Sequence, residues 1–231
     1  VDLPVVSFRF SVASDSHLAA ISPVITSSAQ SKIIGMTQFN VGALLKNRRK
    51  VEEDRSSHSP VAKKILFVCT GNIARSASAQ YIAEQLSDSA SGWTFDSAGT
   101  GAVVGSGVAP FIDAELESRG VNYRSHQAKQ ITAQLLEESA LVLVMEKEHL
   151  NWIVREWPQH RSKIHLLKQM ARVQEQAGRR VDPVAFMYAL DEPPVKEDRI
   201  ADPYRKGAEA ARVAVEEVEL ALTKIIPWLG A

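Results

Sequence analysis

Four short apolar runs recur along the chain from residue 63 onward, each followed by polar and apolar positions at helical spacing. Ile65-Leu66-Phe67-Val68 is the first, a continuous run that reads as a strand buried on both faces. Ser76 to Leu86 follows, with Ala79, Ile82, Ala83 and Leu86 on one helical face. Trp93 to Ser97 is a second strand. Pro110 opens a helix carrying Ile112 and Leu116, and Gly120 stands where a glycine closes a helix. Leu141 to Met145 is a third strand, followed by a helix over Glu146 to Glu156, and Ile164 to Leu167 is a fourth strand. The last helix carries Ala211, Val215, Val218, Leu222 and Ile225 on one face, and the pattern predicts that it stops at Pro227. Strands alternating with helices imply parallel pairing and right-handed crossovers. The expectation is an α/β fold: a small doubly wound, three-layer domain with a four-stranded parallel sheet over residues 63–231.

Residues 1–62 differ. They are rich in Ser and Ala and end in a charged run, Lys46 to Arg55, then Ser56-Ser57-His58-Ser59-Pro60. Phe8 to Val12 alternates like a short strand without clear pairing partners. The segment reads as an N-terminal extension, disordered or loosely attached, and Lys46, Arg48, Arg49 and Lys50 as a solvated basic turn. The chain begins with Val1, so a fragment, a non-standard start or an over-extended reading frame is expected, with Met36 as a candidate start.

Composition narrows the function classes. The formal net charge is zero, which gives no electrostatic case for nucleic acid or an anionic membrane surface. No apolar run approaches the roughly 18–20 residues of a membrane span, and the N-terminus lacks the basic-then-apolar order of a secretory signal. The chain has one cysteine, so no internal disulfide can form, and a cytoplasmic monomer is expected. No HExxH, CxxC or paired-His spacing occurs, so neither metal nor cofactor is expected.

In a doubly wound sheet, ligands bind beyond the C-terminal ends of the strands, at the point where strand order reverses. The loop after the first strand is Cys69-Thr70-Gly71-Asn72-Ile73-Ala74-Arg75-Ser76, a C-x5-R-S spacing between a buried strand and an amphipathic helix. Backbone N–H groups of residues 70–76 can converge on an anion there, aided by the helix N-terminus. Arg75 can grip two phosphate oxygens in a fork, and the positive surroundings favour a Cys69 thiolate placed for attack on phosphorus. An acid must then protonate a phenolate leaving group. Asp202, before Pro203 and Tyr204 and ahead of the last helix, is the candidate, whereas Asp182-Pro183 and Asp191 read as turns.

Val68-Cys69-Thr70-Gly71-Asn72-Ile73-Ala74-Arg75-Ser76 resembles the signature loop of the low-molecular-weight protein tyrosine phosphatases. Asp96-Ser97-Ala98-Gly99-Thr100, Ser125-His126-Gln127-Ala128-Lys129-Gln130 and Asp202-Pro203-Tyr204 resemble three further motifs of that family, in order, over about residues 63–228. The resemblance implies a phosphotyrosine-protein substrate and a phosphocysteine intermediate. It makes Cys69 the nucleophile, Arg75 the phosphate binder and Asp202 the general acid. Ser76 would stabilise the thiolate, Asn72 would hold the loop in a strained conformation, and Ser97 and His126 would complete the supporting network.

The chain departs from the family at several points. Ala74 replaces a second loop cysteine found in many members, and Val103-Val104 stand where an aromatic commonly lines the cleft, which leaves Ile73 and Tyr204 as walls. Lys168 to Arg199 is longer than the usual link to the acid loop and contains a short helix opened by Pro183, with Phe186, Met187 and Leu190. Two alternatives share the fold: an arsenate reductase using an external small thiol, and a protein-arginine phosphatase. Relatives acting on phosphoarginine have Thr at the position of Ile73, so Ile73 favours tyrosine. A non-catalytic phosphate-binding module is disfavoured by the intact Cys69, Arg75 and Asp202 set.

Overall fold

The structure is a computed structural model that describes residues 63–178 and 181–231. The expected extension over residues 1–62, with its candidate strand and basic turn, lies outside the described residues. Four parallel strands form one sheet: β1 (Lys64–Cys69), β2 (Thr94–Gly99), β3 (Leu141–Val144) and β4 (Ile164–Leu166), in the order β2-β1-β3-β4. The helices are α1 (Arg75–Leu86), α2 (Pro110–Ser118), α3 (Ala133–Glu137), α4 (Lys147–Glu156), α5 (Leu167–Val173), α6 (Pro183–Ala189) and α7 (Gly207–Leu229).

The continuous apolar runs are explained by burial on both faces. Ile65, Phe67, Leu141 and Leu143 point into one layer with α1, α2, α5 and α7. Leu66, Val68, Val142, Val144, Ile164 and Leu166 point into the other, against Leu136 of α3 and Leu150 and Ile153 of α4. Because β1 lies between β2 and β3, the chain reverses direction across the sheet at the C-terminal end of β1. That is the switch point, and the loop from Cys69 to Arg75 occupies it.

Two helix ends test the sequence reading. Gly120 takes φ +67°, with Gly120 N–H donating to Glu117 O and Val121 N–H to Leu116 O, the paired bonds of a Schellman closure. Pro227, by contrast, does not stop α7. The helix runs on to Leu229 and ends at Gly230, φ +65°. Pro227 forfeits one backbone bond in the last turn, but the residues after it are anchored: Leu229 is buried, Trp228 meets Phe186 edge-on at 5.7 Å, and Leu229 O accepts from Trp93 Nε1 at 3.2 Å.

The apolar run places Leu167 at the end of β4, yet it begins α5, and no periodicity in the sequence predicts the five-residue α3, capped by Thr132 Oγ1. The long link after β4 is structured. It holds α5, α6 capped by Asp182, and a 3-10 turn at Lys196–Asp198. Met187 reaches the core, with Phe186 and Leu190 packed against it. Arg172 donates to both Asp198 oxygens at 3.0 Å, fixing the chain just before the acid loop.

Candidate active site

β1 delivers Cys69 and α1 takes over at Arg75; the loop between them is held from outside through its carbonyls. Cys69 O, Thr70 O and Gly71 O accept from the N–H groups of Thr100, Gly101 and Val103, Ile73 O from Ala109 N–H, and Asn72 O from His126 Nε2. With the carbonyls turned outward, the N–H groups of residues 70–74 donate to no protein group among the described residues. A row of free amides at a helix N-terminus is an anion nest. The close approach of the second loop requires Gly99, where a Cβ would fall 2.3 Å from Thr70 O.

Asn72 sits at φ +54°, in the left-handed region, and is fully buried. Its side chain repays that conformation: Nδ2 donates to Ser97 Oγ at 2.9 Å and Ser76 Oγ at 3.1 Å, and Oδ1 accepts from Lys129 N–H at 2.8 Å. His126 Nε2 donates to Asn72 O at 2.6 Å. Burial, opposed by this bond, pushes the His126 pKa down, which favours the neutral imidazole. Ser97 Oγ donates to Gln80 Oε1 at 2.7 Å, leaving its lone pairs for Asn72.

Ser76 Oγ lies 2.9 Å from Cys69 Sγ. Ser76 Oγ accepts from Asn72 and has Ala98 O at 3.4 Å and the sulfur as acceptors for its single hydrogen; a Cys69 thiolate, having no hydrogen to give, takes it as the nearer of the two. That arrangement suits a thiolate acceptor.

Arg75 is buried and divided among three partners. Nη1 donates to Glu146 Oε1 at 2.9 Å and to Ile200 O at 3.1 Å, and Nη2 pairs with Asp202 Oδ1 at 3.1 Å. Nε is buried with no protein partner, an orphan donor that a bound oxyanion would satisfy. Glu146 also accepts from Arg199 Nε at 2.9 Å. Burial works against its ionised form, but hydrogen bonds from Arg75 and Arg199 outweigh that and hold its carboxyl below the usual range.

Cys69 and Arg75 form the floor of a cavity of about 200 Å³, walled by Ile73, Val103 and Tyr204, with Asp202 at its edge. Every residue singled out from the sequence, from Cys69 to Ser76 with Ser97, His126, Asp202 and Tyr204, is therefore in the cavity or bonded behind it. Val103, set aside from the sequence in favour of Ile73 and Tyr204, is a third wall. Glu146, Arg199 and His149 were also missed. Glu146 had a positional signal: it follows a buried strand at the C-terminal edge of the sheet.

Fold and site together define a cysteine-based phosphatase of the small α/β kind. A family model described as "Low molecular weight phosphotyrosine protein phosphatase" matches residues 64–193, more than half of the chain. The low molecular weight protein-tyrosine-phosphatase Wzb of Salmonella typhi is 38% identical over 103 residues, 45% of this chain and 67% of that protein. The probable low molecular weight protein-tyrosine-phosphatase AmsI of Erwinia amylovora is 30% identical over 167 residues, 72% of this chain and 95% of that protein, and the crystal structure of the Erwinia amylovora tyrosine phosphatase AmsI aligns with TM-score 0.58 at 27% identity, covering 74% of this chain and 95% of that one. The YwlE arginine phosphatase of Geobacillus stearothermophilus aligns with TM-score 0.57 at 27% identity, covering 71% of this chain and 90% of that one. The chain belongs to the low molecular weight protein tyrosine phosphatase family, whose members are phosphoric monoester hydrolases.

Proposed function

We propose that the protein hydrolyses phosphotyrosine in a protein substrate through a phosphocysteine. The observation that carries this reading is the convergence of Cys69 Sγ, the free amides of the loop, the unpartnered Arg75 Nε and Asp202 on one cavity. The phosphoryl group sits in the amide nest, with two oxygens on Arg75. The Cys69 thiolate forms the S–P bond as the P–O bond to tyrosine breaks, and Asp202 gives its proton to the departing phenolate. In the second half-reaction Asp202 takes a proton from water, water attacks phosphorus, and the S–P electron pair returns to sulfur, where Ser76 Oγ–H stabilises it.

Apolar walls from Ile73, Val103 and Tyr204 suit an aryl ring. The similarity to YwlE makes phosphoarginine the second substrate class to test. Purified protein should release phosphate from a phosphotyrosine peptide faster than from a phosphoarginine peptide, and should not consume arsenate in the presence of a small thiol. Cys69→Ser should abolish phosphate release while retaining measurable affinity for inorganic phosphate, because the amides and Arg75 supply most oxyanion contacts. Turnover by Cys69→Ser within tenfold of the parent enzyme would refute the assignment.

Residues 63–231 are, on this reading, the whole catalytic unit, acting in the cytoplasm as a monomer without metal, cofactor or nucleic acid. A protein lacking residues 1–61 should keep its activity and its melting transition; an insoluble or inactive product would show that the extension is needed.

A further inference from the structure

His149 takes no part in the chemistry above, yet its side chain bonds to the catalytic loop. It lies in the first turn of α4, only 4% exposed. Nε2 is 2.9 Å from Thr70 Oγ1, the hydroxyl of the residue next to the nucleophile, which lines the cavity. Nε2 is also 3.6 Å from Glu146 Oε1, the oxygen that grips Arg75. Nδ1 is buried with no partner.

These contacts decide which nitrogen carries the proton. If Nδ1 were protonated, a buried N–H would be left unsatisfied, a rare and costly arrangement in folded proteins. With the proton on Nε2, the unpartnered atom is a lone pair, and the N–H has acceptors in Thr70 Oγ1 and, further off, Glu146. The surroundings also keep the ring neutral: burial first, then the Arg75 charge, push its pKa down to about 4, against Glu146, Glu148 and Asp202. Thr70 Oγ1 then accepts from the ring, and its own hydrogen is left for the cavity.

We propose that His149 is a positioning residue for the phosphate loop, donating from Nε2 to Thr70 Oγ1 so that the Thr70 hydroxyl is fixed with its hydrogen directed at a phosphoryl oxygen. His149 thereby fixes the loop through the side chain of its first residue after the nucleophile. Asn72, Ser97 and His126 secure the same loop through other atoms. The inference rests on the phosphatase reading above.

The test is a double-mutant cycle on the full chain with Thr70→Val and His149→Ala, read by kcat and KM for an aryl phosphate and by the inhibition constant for inorganic phosphate. Each single change should lower kcat/KM by roughly 10–100-fold, the scale of a misplaced reacting group, and weaken phosphate inhibition. The double variant should be no worse than Thr70→Val alone, because that change already removes the hydroxyl through which His149 acts. His149→Gln, whose amide can reach the position of Nε2–H, should recover most of the loss; His149→Asn, whose amide reaches only the position of Nδ1, should not. Imidazole ¹⁵N shifts of the parent protein should show a neutral Nε2–H tautomer.

Additive losses, equal behaviour of the Gln and Asn variants, or an Nδ1–H tautomer would overturn the proposal. If His149→Ala does not fold, Thr70→Val with the Gln and Asn variants decides the matter alone. Absence of aryl phosphate hydrolysis in the parent enzyme would instead defeat the phosphatase reading, so the two failures are distinguishable.

Discussion

Arg75 and Asp202 meet at the cavity, with Nη2 and Oδ1 3.1 Å apart, so the anion-binding group and the proposed acid are joined before substrate arrives. Nη1 is committed to Glu146 and Ile200 O, which leaves Nε and Nη2 as the fork for a phosphoryl group. Nη2 carries two N–H bonds, so a phosphoryl oxygen can join Asp202 on it, which places the carboxyl beside the bound group. Asp202→Ala should slow phosphotyrosine hydrolysis by roughly 10²–10⁴-fold, the scale of general-acid catalysis. The loss should shrink for an aryl phosphate whose phenol is acidic enough to leave unprotonated. Inorganic phosphate should inhibit the variant at least as well as the parent, because the amides and Arg75 that hold it are intact and an acidic group beside the anion is gone. Equal losses on the two substrates would make Asp202 a structural residue.

Asn72 combines a left-handed backbone with bonds to Ser76, Ser97 and Lys129, and two substitutions separate these contributions. Asn72→Gly accepts φ +54° but leaves Ser97, Ser76 and Lys129 N–H without their partner. Asn72→Ala loses the same bonds and adds the cost of the left-handed conformation, about 1 kcal/mol. Both should lower kcat, because Ser76 is no longer held toward sulfur, and the alanine variant should melt lower than the glycine variant. Equal melting points would mean that the loop relaxes to another conformation.

The catalytic loop was legible in the sequence because its chemistry is local: Cys69, Arg75 and Ser76 fall within eight residues between one strand and one helix. The sheet was legible because strands buried on both faces leave unbroken apolar runs, as Ile65 to Val68 and Leu141 to Val144 do. What escaped is long-range or marginal. Glu146 and Arg199 are single charged residues whose meaning depends on folding them against Arg75, which is 71 positions away from Glu146. Helix α3 is too short to carry a period, and Leu167 extends an apolar run although its backbone has already turned helical. Pro227 obeys a local rule that packing of Trp228 and Leu229 overrides.

Two buried histidines predict an acid-labile fold. His165 on β4 is 4% exposed, and burial, only partly offset by its bond to Ser162 O, pushes its pKa down to about 4. His149 is likewise pushed down to about 4. Unfolding returns each ring to about 6.5, so below that value the unfolded chain binds more protons than the folded one. Stability contributed by neutral burial is present above about pH 6.5 and falls until the folded state also protonates near pH 4. Each histidine should cost about 2 kcal/mol between pH 7 and pH 5. Urea unfolding at the two pH values measures the difference, and His165→Gln, which can keep a donor near Ser162 O, should flatten the slope. An unchanged slope in that variant would show that His165 does not contribute.

Oxidation should inactivate this enzyme in a way that its single sulfur dictates. Cys69 is the only cysteine in the sequence, and the thiolate that acts as the proposed nucleophile is also the form that peroxide attacks. The first product is a sulfenic acid. A neighbouring thiol would condense with it to a disulfide and shield it, but residue 74, on the same cavity, is alanine. The sulfenic acid is left to an external thiol, to a backbone nitrogen or to a second peroxide, which gives the irreversible sulfinic acid. Peroxide treatment without a small thiol, followed by peroxide removal and dithiothreitol, should therefore recover a fraction of activity that falls steadily with exposure time. Inorganic phosphate present during exposure should protect, since it covers the sulfur in the cavity. Ala74→Cys should slow the irreversible loss if its thiol reaches Sγ, and mass spectrometry should then find a disulfide in place of the sulfinic acid. Full recovery of the parent enzyme after prolonged peroxide would contradict this account, because it would mean that a backbone nitrogen captures the sulfenic acid faster than a second peroxide does.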